Sequence, residues 1–291
     1  MFHGSIVALV TPMFREGGID NDSLTRLVEF HIDSGTDAIV AVGTTGESGT
    51  LSIEEKHHVI RQVVKVVNNR IPVIAGTGES STRGTVELTK EAMSLGVDGC
   101  LIMAPPYVKP TQEGLYCHYK TIAEMCPIPI ILYNVPGRTA CDILPETVER
   151  LAEIPNIVAL KEASGSLDRV KRLIENCKGQ LTLLSGEDHL AKAVMLAGGE
   201  GVISVTANVA PQKMKALCDA ARRGDEALAN QIDATLAALH EQLFIESNPI
   251  PVKWAVHRLG LISEGIRLPL LPLSENKKAG VMAAMEKAGV L

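Results

Sequence analysis

Residues 72–81 read Pro-Val-Ile-Ala-Gly-Thr-Gly-Glu-Ser-Ser, a short apolar run that breaks into a glycine turn. In an open, doubly wound sheet the turn after an early strand carries glycines at G-x-G-x-x-G spacing, so that the backbone can approach a phosphate. Gly76 and Gly78 fit that spacing, but Ser81 stands where the third glycine belongs, and no G-K-[ST] sequence occurs anywhere. Runs of the same kind recur along the chain, at Ile6–Val10, Ala38–Val42, Gly99–Met103, Pro129–Tyr133, Ile157–Leu160, Leu181–Leu184 and Gly201–Val205. They are rich in Val and Ile and do not alternate with polar residues, which is the pattern of parallel strands buried on both faces.

Between the runs lie amphipathic stretches with helix punctuation. Ser52-Ile-Glu-Glu55 is a capping box that opens a helix over Ser52–Val67. Pro145 stands at a first helical position, where its missing amide donor is harmless. Gly35, Gly96, Gly179 and Gly224 fall where helices should stop. Eight strand–helix repeats without a phosphate fingerprint predict an α/β fold, a closed (β/α)8 TIM barrel. Its last helix is expected at about residues 210–223. The remainder contains no strand-like repeat and no Ser/Gly linker. The expected division is therefore a barrel over 1–224 and a C-terminal helical appendage over 225–291, packed on it.

The 291 residues are 46% apolar, near the upper limit for one hydrophobic core. With 34 acidic against 28 basic residues the net charge is −6, and aromatics are only 3%. Both figures argue against a nucleic-acid partner and for a small molecule. No apolar run has the length of a membrane-spanning helix, and the N-terminus lacks the basic region of a signal peptide. The six cysteines lie far apart with no C-x-x-C, which suggests reduced thiols in a cytoplasmic protein. No metal or cofactor is expected. Neighbouring His57 and His58 do not share a helix face, and Glu47, Glu187 and Asp188 lack a second ligand at fixed spacing, so all five read as surface, capping or loop residues. Gly198-Gly199-Glu200-Gly201 precedes a strand and belongs to the face away from the chemistry.

In such a barrel the active site forms beyond the carboxyl ends of the strands. Lys161 follows Ile157–Leu160 there. An ammonium beside a buried run suffers desolvation, which favours the neutral, nucleophilic amine. The alternative is a structural salt bridge, although Glu162, the next residue on a strand, points to the opposite face. Tyr133 ends its own run: a core aromatic, or a phenol that moves protons beside an imine-forming lysine. Thr44 and Thr45 lie between glycines in Gly43-Thr-Thr-Gly46, a loop able to offer amides and hydroxyls to a carboxylate, or simply a tight turn. Arg138, after Pro136-Gly137, is either a solvated side chain or a fork for a second carboxylate. Tyr107 sits in the stiff stretch Pro105-Pro-Tyr-Val-Lys-Pro110 and can face outward.

Taken together, Gly43-Thr-Thr-Gly-Glu47, Tyr133-Asn-Val-Pro-Gly-Arg-Thr139, the lysine 28 residues after Tyr133, Leu160-Lys-Glu-Ala-Ser-Gly165 and Glu246-Ser-Asn-Pro-Ile-Pro-Val-Lys253 are specific. Through them, over essentially its whole length, the chain resembles the dihydrodipicolinate synthase family. That family belongs to the pyruvate-dependent class I aldolases, which also include N-acetylneuraminate lyase. The resemblance implies condensation of pyruvate with L-aspartate 4-semialdehyde, the first committed step of the diaminopimelate route to lysine. It implies Lys161 as the Schiff-base lysine and Thr45 as holder of the pyruvate carboxylate. Thr44, Tyr133 and Tyr107 form a proton relay, with Tyr107 reaching a neighbouring subunit's site. Gly186 and Ile203 line the pyruvate pocket, and Arg138 binds the carboxylate of the second substrate. It also implies a homo-oligomer, commonly a tetramer built as a dimer of dimers. The alternative within the superfamily is a lyase of keto-deoxy sugar acids or N-acetylneuraminate, against which Arg138 weighs, since a polyol does not ask for a guanidinium. Lysine-inhibited relatives carry a tyrosine before Tyr107, an acid at the position of Gly84 and histidines at those of Ile53 and Lys56. Pro106, Gly84, Ile53 and Lys56 therefore imply weak or absent inhibition by L-lysine.

Overall fold

The computed structural model describes residues 2–291. Eight parallel strands close into a barrel in chain order: β1 (Gly4–Ala8), β2 (Ala38–Ala41), β3 (Val73–Gly76), β4 (Gly99–Met103), β5 (Ile130–Asn134), β6 (Ile157–Glu162), β7 (Thr182–Ser185) and β8 (Gly201–Ser204). The helices around it are α1 (Asn21–Asp33), α2 (Ile53–Val67), α3 (Thr82–Ser94), α4 (Gln112–Met125), the single turn α5 (Pro136–Thr139), α6 (Pro145–Ala152), α7 (Leu167–Asn176), α8 (Ala191–Leu196) and α9 (Pro211–Arg222). Three more follow: α10 (Glu226–Gln242), α11 (Ile250–Arg258) and α12 (Glu275–Lys287). All eight expected strands are present. Among the described residues no helix is long and apolar enough to cross a membrane.

Local chemistry sets the helix ends as expected. Ser52 and Glu55 form the reciprocal capping box of α2, and Pro145 occupies the first turn of α6. Gly35 and Gly224 end α1 and α9 with φ of 77° and 73°, a left-handed turn that a Cβ would strain.

Apolar side chains pack in two shells. Ile6, Val40, Ile74, Ile131, Ala159 and Ile203 fill the barrel's inside, whereas Val7, Ile39, Leu132, Leu160 and Val202 face outward into the larger core beneath the helices. The alternation is the period of two of a strand, so each run is apolar at every position because both of its faces are buried.

Strand bounds differ from the apolar runs where backbone pairing rather than side-chain character decides. β1 begins at Gly4, two residues earlier than expected, because Gly4 pairs with Gly201 and the first and last strands meet there. At that seam a Cβ on Gly201 would lie 2.3 Å from the Gly4 carbonyl oxygen, so no side chain fits. β1 stops before Val10, whose amide donates instead to Asn208 Oδ1 (3.0 Å). β6 continues through Lys161 and Glu162, two charged residues that do not read as strand but pair with Leu184 and Ser185 of β7.

Beyond α9 the chain folds back over the barrel, with α10 packed along α9 and α12. The segment after α10 reaches the loop that follows β2: Asn248, Lys253 and Arg267 all bond to residues 45–55. Residue 224 therefore marks the end of the strand–helix repeat, while the site it serves draws on both sides of that boundary.

Candidate active site

Strand alternation sends Tyr133 and Lys161 into the barrel and their neighbours Asn134 and Glu162 outward. The pairs are in register, Tyr133 opposite Lys161 and Asn134 opposite Glu162. Lys161 is 6% exposed. Among the described residues it has no ion-pair partner; its Nζ faces the Tyr133 ring. Glu162 is instead committed behind the sheet. It accepts from Asn134 Nδ2 (3.1 and 3.2 Å) and the Ser164 amide (2.9 Å), and pairs with Arg169 Nε (3.3 Å). Burial pushes its carboxyl above the usual range, against the pull of Arg169 and those hydrogen bonds. Asp142 closes the network, accepting from Asn134 Nδ2 (2.8 Å) and Arg169 Nη1 (2.9 Å). The structural salt bridge considered for Lys161 thus belongs to Glu162 and Arg169, and the two strand ends are fastened from outside.

The loop after β2 is held in an unusual shape. Val42 and Glu47, on either side of Gly43-Thr-Thr-Gly46, have φ of 57° and 59°. For a β-branched residue this costs about 1–3 kcal/mol and persists only where the surroundings enforce it. The enforcement is visible. Glu47 forms a buried ion pair with Lys253 of α11 and accepts from the Arg267 amide (3.2 Å). Gly76 leaves no space for a Cβ, which would lie 2.3 Å from Val42 O. Burial pushes the Lys253 ammonium pKa down, partly offset by Glu47. Thr45 is buried within this loop, and its Oγ1 accepts from Asn248 Nδ2 (3.0 Å).

Arg138 lies in α5 with Nη2 donating to Asn248 O (3.2 Å). Gly186 follows β7, and its amide donates to Glu162 O (2.7 Å). A Cβ there would lie 2.6 Å from Ala163 Cβ, so the position admits only glycine. These residues surround a cavity of ≈740 Å³ at the carboxyl ends of the strands, lined by Thr44, Thr45, Tyr133, Arg138, Lys161 and Gly186. Six of the eight residues singled out in the sequence thus meet in one cavity. Two do not line it. Ile203 packs lower, in the apolar barrel interior. Tyr107 is 89% exposed with φ of 74°, its amide tied to Thr139 O (3.2 Å) beside Arg138.

Sequence reasoning missed the outer wall. Asn248 and the α10 residues Ala237, His240, Glu241 and Phe244 line the cavity. Nothing in the local pattern of the four α10 residues marks them, and Asn248 stands in the Glu246–Lys253 motif with no role attached to it there, because its partners lie far away in the chain. Asp188 serves structure: it accepts from Ser204 Oγ and from the amides of Val205 and Thr206 (2.9 and 3.0 Å), capping the turn after β8. Among the described residues no cluster of three or more His, Cys, Asp or Glu could hold a metal.

A barrel that buries a lysine without an ion-pair partner at a strand end, against a phenol and in one cavity with Thr45 and Arg138, has the build of a class I aldolase. The profile of the "Dihydrodipicolinate synthetase family" matches residues 1–288, and the chain belongs to that family. It is 59% identical over 290 residues to a 4-hydroxy-tetrahydrodipicolinate synthase of Thioalkalivibrio sulfidiphilus, covering 100% of this chain and 99% of that one. It is likewise 59% identical over 291 residues, with both chains fully covered, to the one of Pseudomonas aeruginosa. Among solved structures, a chloride-inhibited dihydrodipicolinate synthase from Acinetobacter baumannii complexed with pyruvate superposes with a TM-score of 0.99 at 54% identity over 100% of both chains. The barrel, the family and the reading as a carbon–carbon lyase of this synthase type are borne out.

Proposed function

We propose that the protein condenses pyruvate with L-aspartate 4-semialdehyde through a Schiff base on Lys161. The observation that carries this reading is the state of Lys161: buried, free of any carboxylate, and facing a cavity that also offers Thr45 and Arg138. The Lys161 amine attacks the pyruvate carbonyl carbon, and loss of water leaves the imine. Thr45 holds the pyruvate carboxylate through its hydroxyl and amide. Tyr133, with Thr44, carries protons between nitrogen, carbinol and water. Loss of a proton from the pyruvate methyl gives an enamine, whose carbon attacks the aldehyde of the second substrate. Arg138 holds that substrate's carboxylate. Its amino group then displaces Lys161 from the imine carbon, closing the ring and freeing the lysine for another turnover.

The exposure of Tyr107 supports a second element of the reading. A large aromatic at 89% exposure, with a positive φ and a backbone bond beside Arg138, supports the reading that Tyr107 enters another subunit. The working unit would then be a dimer, within a dimer-of-dimers tetramer. A cytoplasmic setting accords with six cysteines that form no disulfide; burial pushes Cys100 up to about 12.

The deciding experiment is incubation with pyruvate, borohydride reduction and peptide mass analysis. A reduced pyruvyl adduct on Lys161 is expected; its absence would refute the reading. Turnover with aspartate semialdehyde against keto-deoxy sugar acids then tests the second substrate.

A further inference from the structure

We infer that Asn248 is a positioning residue: its side-chain amide fixes the direction in which the Thr45 hydroxyl donates, while its backbone carbonyl holds Arg138. This deepens the reading above and rests on it, since Thr45 is taken to hold the pyruvate carboxylate.

A hydroxyl has one proton and two lone pairs. Asn248 Nδ2 donates to Thr45 Oγ1 at 3.0 Å, which occupies a lone pair and leaves the Thr45 proton free. That proton can then donate into the cavity, which both residues line. With no donor at Oγ1, the proton would be free to rotate toward any nearby acceptor. A carboxylate ligand would then bear the cost of ordering it. Asn248 is 6% exposed, and among the described residues its Oδ1 has no hydrogen-bond partner. A buried amide oxygen left unpaired is costly, which argues that the amide is held in place for the sake of its other end.

The same residue acts on the second anion-binding group through a different atom. Arg138 Nη2 donates to Asn248 O at 3.2 Å, so the guanidinium is steered by main chain and not by the amide. One residue, 203 positions along the chain from Thr45, therefore touches both anion-binding groups. It stands next to Pro249 and α11, the helix that supplies Lys253 to Glu47 at the far end of the same loop.

The two contacts separate experimentally. In the full-length enzyme, Asn248→Ala removes the amide and keeps the carbonyl. KM for pyruvate should rise about tenfold, with kcat changed less than about threefold. KM for aspartate semialdehyde should stay within about twofold of its starting value. A rise in both KM values together would mean a general loss of structure and overturn the proposal. In a Thr45→Val background, which has no hydroxyl to orient, Asn248→Ala should change the pyruvate KM less than about twofold; equal effects in both backgrounds would also overturn it. Asn248→Asp offers only acceptors and would capture the Thr45 proton. The pyruvate KM should then rise by about a hundredfold, and an unimpaired Asp variant would show that Thr45 already donates to residue 248. Should Asn248→Ala fail to fold, Asn248→Ser is read by the pyruvate concentration that half-saturates borohydride trapping. A rise there supports the proposal and no change sinks it. Trapping on Lys161 in the unsubstituted enzyme is independent of Asn248, so failure of the catalytic reading would be seen separately.

Discussion

Lys161 Nζ stands 4.2 Å from the centroid of the Tyr133 ring, and the two residues are direct partners in the β5–β6 ladder. A ring face stabilises an ammonium by about 0.5–2 kcal/mol without accepting a hydrogen bond from it. A carboxylate at that place would favour the protonated amine far more strongly and oppose nucleophilic attack. The ring thus faces the lysine without supplying an ion-pair partner.

Tyr133→Phe keeps the ring face and removes the hydroxyl. Steady-state kinetics should show kcat reduced by about 10²–10⁴. Borohydride trapping of pyruvate on Lys161 should persist, more slowly, with thermal stability little changed. A variant within threefold of the original kcat would remove Tyr133 from proton transfer.

Arg138→Leu tests the second carboxylate. KM for aspartate semialdehyde should rise about ten- to hundredfold while KM for pyruvate is unaffected, because the lost bonds are charge-assisted and made to one substrate only. Full activity with the semialdehyde would count against the assignment.

The Glu47–Lys253 pair is buried on both sides, with side-chain exposures of 0% and 4%. Removing one member strands a buried charge. Lys253→Met should cost about 3–5 kcal/mol in urea unfolding, and adding Glu47→Gln should recover much of it. A single-variant loss below about 1 kcal/mol would show that the pair does little to hold the loop.

Acid should destabilise the fold through buried histidines. Desolvation pushes His31 down to about 3 and His118 down to about 4, while unfolded histidine titrates near 6.5. Between these values the unfolded chain binds more protons than the folded one, so stability falls as pH falls. Each histidine should remove about 2 kcal/mol between pH 7 and pH 5. Glu55, held down at about 2 by Arg267, adds the same sign below about pH 4.5. His118→Gln, which can keep the bond to Thr82, should flatten the dependence; an unchanged slope would contradict this account.

L-Lysine at millimolar concentration should inhibit turnover weakly or not at all. Lys56 Nζ is already paired with Glu79 (2.7 Å) and its side chain is 12% exposed, so an ammonium of the protein itself occupies that acid. Strong inhibition in a direct assay would refute this.

The barrel was legible because a strand buried on both faces writes itself as a continuous apolar run, and eight such runs admit few topologies. Lys161 and Tyr133 were legible because each stands at the end of a run, where the fold places chemistry, and Arg138 because it stands in the turn just beyond one. Asn248 and His240 were not. His240 is an ordinary polar residue in its own neighbourhood, and Asn248, although inside the Glu246–Lys253 motif, carries no local sign of its partners; each acquires a role only when α10 and α11 fold over the strand ends. The extension of β6 through Lys161 and Glu162 was also hidden. Both charges are buried, one in the cavity and one in the Asn134–Arg169–Asp142 network, and neither destination shows in local sequence.

The seam between Gly4 and Gly201 sets a schedule for biosynthesis. β1 leaves the ribosome first but cannot gain its second neighbour until β8 has been made, roughly 10–40 s later at ordinary translation rates. During that interval one edge of β1 is open, able to pair with any other nascent strand. Only the last ladder removes that edge, so a chain truncated before β8 would be expected to aggregate, where one truncated within α12 would already be sealed.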